Sequence, residues 1–535
     1  MLADRLLVNG NAYTMDAECP RASALAISGE RILAVGDADD LHDILAPGGE
    51  VKDLSGACVL PGLTDSHIHF TWYALGLREV DLGGTRSLDK VLALVGERAR
   101  QTPEGDWVVG QRWDQELWPE PRFPTADDLD GVAPAHPTVL RAKSGHAVVA
   151  NTRALHLAGI TAETPDPPGG RIGRDAAGHP NGMLFEDSAM HMVTDLIPLP
   201  DPDEIDEAVR GAFPNAWRVG LTGIHDVDRR PAFAAYQRLH ALGELGLRVN
   251  KYLPVEVLDC ALEIDLRTGL GDDWLRVGGI KVFSDGALGS RTAYMLAPYR
   301  GEPDNVGVLT TEEAALRALA HKAVDGGLSL AIHAIGDRAN RMVLDVLGEV
   351  MARGGVGARE GGSRHRIEHV QLLHPDDVGR LAALGVVASM QPIHATQDYE
   401  MAERYWGERC ATSYAWRSLL EAGTVLAFGS DCPVEDLNPL LGIHAAVTRR
   451  RADGSPGPEG WYPQQRLTVA EAVHGYTWGA AYAAGLEDRL GSLSPGKLAD
   501  LVVLDRDIFT CDPMAIARTQ AVATMIGGRF MYEAW

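Results

Sequence analysis

The run Val59-Leu60-Pro61-Gly62-Leu63-Thr64-Asp65-Ser66-His67-Ile68-His69-Phe70 is apolar until its end, where two histidines stand two residues apart. Alternate side chains of a β-strand share a face, so His67 and His69 can point the same way from a strand's C-terminal end. Two neutral imidazoles so placed suit a single metal ion. An isolated His-x-His pair reads equally well as chance, and the decision rests on what lies downstream.

Seven further apolar segments follow, at 221–227, 247–255, 276–284, 328–334, 366–371, 386–392 and 425–430. With 59–66 they make eight strand candidates, most separated by roughly 25–50 residues with helix-like sequence between them. Alternation of this kind points to βα units and a parallel sheet, and eight is the count of a closed (β/α)8 TIM barrel. One gap is far too long for a crossover helix: about 150 residues separate the first candidate from the second. The segment 73–215 therefore reads as an insertion that leaves the barrel beside His67 and His69, on the face where barrel active sites sit. It is expected to act as a cap. Its tryptophans Trp107, Trp113 and Trp118 suit either a small aromatic core or a wall facing substrate.

Both ends of the chain have a different texture. Residues 1–57 hold short strands broken at Asn9-Gly10 and Ser28-Gly29, and 488–535 hold Leu501-Val502-Val503-Leu504 and Ala521–Ile526. Strands flanking such turns read as hairpins. One small β-sandwich domain built from 1–57 and 488–535, around the barrel at 58–487, is the expected organisation.

Ionisable residues close five of the apolar strands. His67 and His69 end the first, Lys281 lies inside the fourth, His333 ends the fifth, His369 the sixth, and Asp431 the eighth. Charged groups rarely occupy such places unless they are paired or bind metal. In a barrel these ends converge on one mouth, and four histidines with an aspartate suffice for two metal ions. A cationic Lys281 between two divalent metals would be repelled, whereas a buried lysine loses its charge readily. Its neutral amine can take up carbon dioxide as a carbamate, an anionic oxygen ligand able to bridge both metals.

The order His-x-His, Lys, His, His, Asp on successive strands resembles the amidohydrolase superfamily. The stretches Lys281-Val282-Phe283-Ser284-Asp285-Gly286-Ala287, Ile332-His333-Ala334-Ile335-Gly336-Asp337, Ile367-Glu368-His369 and Gly429-Ser430-Asp431-Cys432-Pro433-Val434 sharpen the likeness. So does Ser494-Pro495-Gly496-Lys497-Leu498-Ala499-Asp500-Leu501 near the C-terminus. Together they resemble the YtcJ-like branch, the amidohydrolase 3 group that includes N-substituted formamide deformylases, over essentially the whole chain. The resemblance implies that His67, His69 and Asp431 hold the more buried metal, that His333 and His369 hold the other, and that carboxylated Lys281 bridges them. Zinc suits these ligands; manganese, iron and cobalt suit them too. It further implies hydrolysis of a non-peptide C–N bond, such as that of an N-substituted formamide or N-acyl compound, by a metal-activated hydroxide. Asp431 would serve as general base and then as acid toward the leaving amine. A deaminase or an ester hydrolase on the same barrel, and a non-catalytic metal-binding member, are the alternatives.

Weaker candidates surround this set. His225 and Asp226 end the second strand, Gln391 and His394 follow the seventh, and His394 is placed to contact substrate. Trp113 is a candidate wall. His146, in Lys143-Ser144-Gly145-His146, matches a cap motif of the resembled branch. Arg291 suits either a substrate carboxylate or a structural ion pair. Asp337 is read as capping or orienting the loop after His333. The remaining histidines are assigned to surface or core.

Composition fits this picture. A chain of 535 residues that is 45% hydrophobic and 23% charged is an ordinary globular protein of more than one domain. The formal net charge of −25 argues against nucleic-acid or anionic-membrane partners and leaves a small-molecule substrate. Six scattered cysteines imply no disulfide framework, and no apolar run approaches a membrane span. A cytoplasmic enzyme is the expectation, and a homo-oligomer is compatible with the sequence.

Overall fold

The computed structural model describes residues 2–198, 200–352 and 364–535. Eight strands form one parallel sheet in sequential order: β1 (Leu63–Ile68), β2 (Leu221–Asp226), β3 (Arg248–Pro254), β4 (Leu275–Phe283), β5 (Leu330–Ala334), β6 (Arg366–His369), β7 (Val387–Met390) and β8 (Leu426–Phe428). Most of their residues are buried, as the near-continuous apolar runs require of parallel strands covered on both faces. The register pairs Phe283 with His333 and Ala334 with His369. Hydrogen bonds close the ring just beyond β8: Asp431 N–H donates to the His67 carbonyl at 2.7 Å, and His69 N–H to the Cys432 carbonyl at 2.9 Å. The Asp65 carboxylate reinforces the seam by accepting the Ser430 and His67 N–H groups, each at 3.0 Å.

The stretch expected as one strand at 59–66 is two. Cys58–Pro61 lies outside the barrel, paired antiparallel to Leu501–Leu504 with Val59 opposite Val503, and parallel to Asn11–Tyr13. The barrel strand begins only at Leu63. Gly62 is the joint, where any Cβ would collide with the Thr222 side chain. Both halves are buried, so the apolar run carries no mark of the change of sheet.

The two ends of the chain form two sheets. One has four strands, in the order Arg31–Gly36, Ala24–Ser28, Ala3–Val8, Leu45–Asp53. The other has six and mixes both termini, running from Arg529–Glu533 through Ala521–Ile526, Leu501–Leu504 and Cys58–Pro61 to Asn11–Tyr13 and Arg21–Ala22. Leu7, Leu25 and Ile27 of the first sheet pack with Val59, Leu501, Val503 and Met525 of the second in one buried cluster. A buried ion pair ties this body to the barrel: Asp500 accepts from Arg248 Nε at 2.5 Å and Nη2 at 2.8 Å. Such a pair specifies an orientation, because losing one partner strands the other charge.

Between β1 and β2 a separate six-stranded mixed sheet is inserted, ordered Arg171–Arg174, Pro180–Phe185, Ala147–Ala150, Thr138–Ala142, Val108–Trp113, Val80–Asp81. It has its own core of Val91, Val95, Trp113, Leu140, Val149 and Met183. The helix Pro202–Trp217 belongs with the barrel, packing on β2 and on the helix Ala232–Ala241. Its start is legible as Asp201-Pro202-Asp203-Glu204: Asp201 accepts from Glu204 N–H at 2.9 Å, and the Glu204 carboxylate accepts from Asp201 N–H at 3.1 Å. Among the described residues, no helix is long and apolar enough to cross a membrane.

Candidate metal centre

The C-terminal ends of β1, β6 and β8 bring His67, His69, His369 and Asp431 together. Asp431 Oδ1 lies 3.5 Å from His67 Nε2 and 3.4 Å from His69 Nε2, and Asp431 Oδ2 lies 3.3 Å from His394 Nε2. The His369 ring sits 4.8 Å from that of His67 and 4.6 Å from that of His333, centroid to centroid. Two ligand groupings result, His67–His69–Asp431 and His369–His394–Asp431, each with its donor atoms within 4.8 Å of one another. His394 joins His369 in the second grouping, while the His333 ring lies closer to that of His369 than the His394 ring does, 4.6 against 6.2 Å. The His333 Nε2 instead faces the Gly286 carbonyl at 3.1 Å and Asp285 Oδ1 at 3.4 Å.

Each ring is held from behind through Nδ1. His67 bonds the Glu368 carboxylate, which Arg366 grips through Nε at 2.5 Å; His69 bonds Asp228 at 3.0 Å; His369 bonds the Gln391 Oε1 at 2.8 Å. Fixing Nδ1–H as donor leaves Nε2 as the free basic nitrogen, the arrangement of metal-ligating histidines. Backbone strain accompanies it, since His369 and Asp431 adopt φ of +74° and +61°.

The electrostatics of the ring are those of a site built for a cation. Burial pushes His67 down to about 4 despite Glu368 and Asp431. Burial also opposes protonation of His69 and His394, yet hydrogen bonds outweigh it: Asp228 and Asp431 push His69 up to about 9, and Asp431 and Glu435 push His394 up to about 10. Burial would raise Asp431, but the His394 hydrogen bond and the His67 charge hold it well below the usual carboxylate range. Burial lowers Lys281 to about 8. Its Nζ and His67 Nε2 are buried, and neither has a hydrogen-bond partner among the described residues. Two orphaned buried nitrogens beside a carboxylate are costly unless something binds them. Nitrogen and carboxylate donors in these groupings fit a divalent metal of the zinc type.

Two cavities reach the cluster and share Ser144, His146, His333, His369, Asp431 and Val434. The larger, about 520 Å3, adds Trp72, Trp107, Arg141 and His191; the smaller, about 70 Å3, adds Trp113, Phe123, Met401 and Glu435. His146 comes from the inserted segment, its Nδ1 2.7 Å from Glu186 and its ring 5.1 Å from that of His333. Trp113 is buried in the inserted core, donating its indole N–H to the Leu140 carbonyl at 2.9 Å while lining the smaller cavity. His225 is not at the mouth. It lines neither of these cavities and lies 2.8 Å from Arg366 Nη1, while Asp226, on the other strand face, accepts from the Tyr236 hydroxyl. Arg291 lines neither cavity; it ion-pairs with Glu302 and stacks over Phe123 and Tyr405. Asp337 opens the helix Asp337–Ala352 and accepts the Leu296 N–H at 2.8 Å.

The supporting carboxylates Glu368 and Asp228, and Arg366 between Glu368 and His225, escaped the sequence reading. A charged triplet in the apolar strand Arg366-Ile367-Glu368-His369 was the available signal.

The model of a family described as the amidohydrolase family matches residues 50–532. The chain belongs to that family. This amidohydrolase is 33% identical to the putative amidohydrolase YtcJ of Bacillus subtilis (strain 168), over 98% of each chain. It is 31% identical to an N-substituted formamide deformylase of Arthrobacter pascens, over 99% of each. Among solved structures, an uncharacterized metal-dependent hydrolase of Pyrococcus horikoshii OT3 superposes on the amidohydrolase with a TM-score of 0.77 at 29% identity, covering 95% of this chain and 99% of that one.

Proposed function

We propose that this amidohydrolase hydrolyses a non-peptide C–N bond, that of an N-substituted formamide or another small N-acyl compound. The observation that carries the reading is the pair of orphaned buried nitrogens, His67 Nε2 and Lys281 Nζ, beside Asp431. The formamide deformylase relative supports the bond type.

In this reading two divalent metals, zinc foremost, are held at the barrel mouth. His67, His69 and Asp431 hold one; His369 holds the other with His394 or with His333, whose ring is 4.6 Å away. Lys281, carboxylated on its neutral amine, would supply an anionic oxygen ligand to both. When bound, the metals supply Lewis acidity, polarising the substrate carbonyl and making water a nucleophile at neutral pH.

The rest is the work of the chain. Asp431 takes a proton from the attacking water and passes it to the amine nitrogen as the C–N bond breaks, leaving a carboxylate and an amine. Glu368, Asp228 and Gln391 hold three imidazoles in the tautomer that presents Nε2. The inserted segment within 73–215 acts as a cap, contributing Ser144 and His146 to both cavities and limiting access of water. Residues 1–57 and 488–535 form a supporting β-sandwich domain apart from the chemistry.

The test is metal content measured together with amine release from a panel of formamides and N-acyl amines. Stoichiometric metal and amine release on part of the panel is the expected result. Metal bound without turnover of any member would leave the non-catalytic reading standing.

A further inference from the structure

The two cavities differ in charge as well as size. In the smaller, Lys143 is spent on Glu435 at 2.5 Å, and Asp114 and Asp398 add further carboxylates. An anion has no free cation to meet there. The larger cavity is lined by five arginines, Arg78, Arg98, Arg141, Arg229 and Arg230. Arg229 is taken by Asp187 at 2.8 Å, and Arg98 donates to the Arg78 carbonyl at 3.0 Å.

Arg78 and Arg230 are exposed, whereas Arg141 is half-buried. It stands on the inserted strand Thr138–Ala142, a rigid position, with its guanidinium 5.0 Å from the Trp72 ring centroid. Among the described residues its guanidinium makes no hydrogen bond or ion pair. Glu79 lines the same cavity, but among the described residues it forms no ion pair or hydrogen bond with Arg141. A guanidinium stacked on an indole keeps its edge free, and that edge is a fork of N–H donors matched to two oxygens of one anion. Trp72 follows closely on His69 in the chain, its N–H bonded to the Asp228 that holds that histidine. The stacked pair is therefore built onto the candidate metal centre.

We infer that Arg141, stacked on Trp72, recognises an anionic group of the carboxylate or phosphate type on the larger side of the substrate, whose small acyl side occupies the 70 Å3 cavity. The inference rests on the amide-hydrolase reading and adds to it a substrate class and an orientation. Hydrolysis would release the anionic amine into the larger cavity.

The test compares N-formyl ω-amino acids of increasing chain length, and their terminal phosphate analogues, with N-formyl alkylamines of the same length. Wild-type metal-loaded enzyme should favour one length of anionic substrate by about tenfold or more in kcat/KM. In Arg141→Met that preference should fall to within about twofold, and Arg141→Lys should keep part of it. The ratio is read within one protein, so partial loss of folded enzyme does not move it. The phosphate and carboxylate arms tell which anion is meant. If no amide is turned over, calorimetric binding of the same pairs still reads the subsite: R141M should lose about tenfold in affinity for the anionic compound relative to the neutral one. A preference that survives R141M, or no preference in the wild type in either assay, overturns the inference.

Discussion

His69 and Asp228 meet across adjacent barrel strands, Nδ1 to Oδ1 at 3.0 Å, and the second oxygen of Asp228 accepts the Trp72 N–H at 2.9 Å. Deeper still, Lys251 Nζ bonds Asp226 at 2.5 Å and the Asp228 carbonyl. A buried lysine thus fixes the backbone of the carboxylate that fixes the histidine. Removing the Asp228 charge should loosen the ring without removing a ligand. Asp228→Asn is expected to weaken metal affinity about 10–100-fold, read by competition with a chromophoric chelator. Wild-type affinity in D228N would show that the contact is structural only.

Asp431 touches three histidines and has the strongest claim to proton transfer. Asp431→Asn keeps its shape and one ligating oxygen but cannot take a proton. Turnover of any amide substrate should fall by about 10^3-fold or more, with the fold unchanged by circular dichroism and thermal melting. Retained turnover would remove Asp431 from the mechanism.

The barrel and most of its mouth were legible in the sequence because parallel strands, buried on both faces, stand out as apolar runs. The ionisable residues that end them had no other physical excuse. What was not legible follows from the same physics. Cys58–Pro61 and Leu63–Ile68 are both buried, so nothing in Val59–Ile68 announces that Gly62 passes the chain from one sheet to another. His225 ends its strand as His67 does, and only the closed barrel shows that it lies against Arg366 rather than in the two cavities. Glu368 and Asp228 act through contacts with His67 and His69, 301 and 159 residues away in the chain, and only the closed barrel creates those. Arg291 carried a charge of the right sign, but its Glu302 partner was visible only in space.

Lys281 supplies a test of the bridging ligand. Burial lowers its amine to about 8, so at pH 7 the cation still predominates and the neutral fraction grows as pH rises through 8. Carbamate formation needs the neutral amine and carbon dioxide. At a fixed concentration of dissolved carbon dioxide, metal loading of the metal-free protein should therefore be faster at pH 8.5 than at pH 6.5, as Lys281 loses its proton and the raised His69 and His394 begin to follow. It should also be faster with added bicarbonate than in degassed buffer. Lys281→Met should abolish the bicarbonate effect. Loading indifferent to bicarbonate in the wild type would exclude the carbamate.

The last prediction concerns the frame behind β8. Thr468 and Glu471 form a reciprocal cap on the helix Val469–Tyr476, and Arg417 clamps the Glu471 carboxylate at 2.8 and 2.5 Å. That helix sets Tyr476 against Phe428 of β8, ring centroids 5.7 Å apart. The Arg417 hydrogen bonds, joined by the Thr468 N–H and opposed by burial, push Glu471 down to about 2 from an ordinary 4.5. A carboxylate depressed in the folded state stabilises the protein above its unfolded pKa, and the contribution fades as pH falls through the folded value. The site is partly solvent-exposed, so screening and the cost of fixing two long side chains reduce the net gain to about 1 kcal/mol, the worth of a good cap. Glu471→Gln should therefore lower Tm by a few degrees at pH 7, and the difference from wild type should shrink steadily between pH 4.5 and pH 2. An equal deficit at pH 7 and pH 3 would assign the loss to packing rather than to the charge.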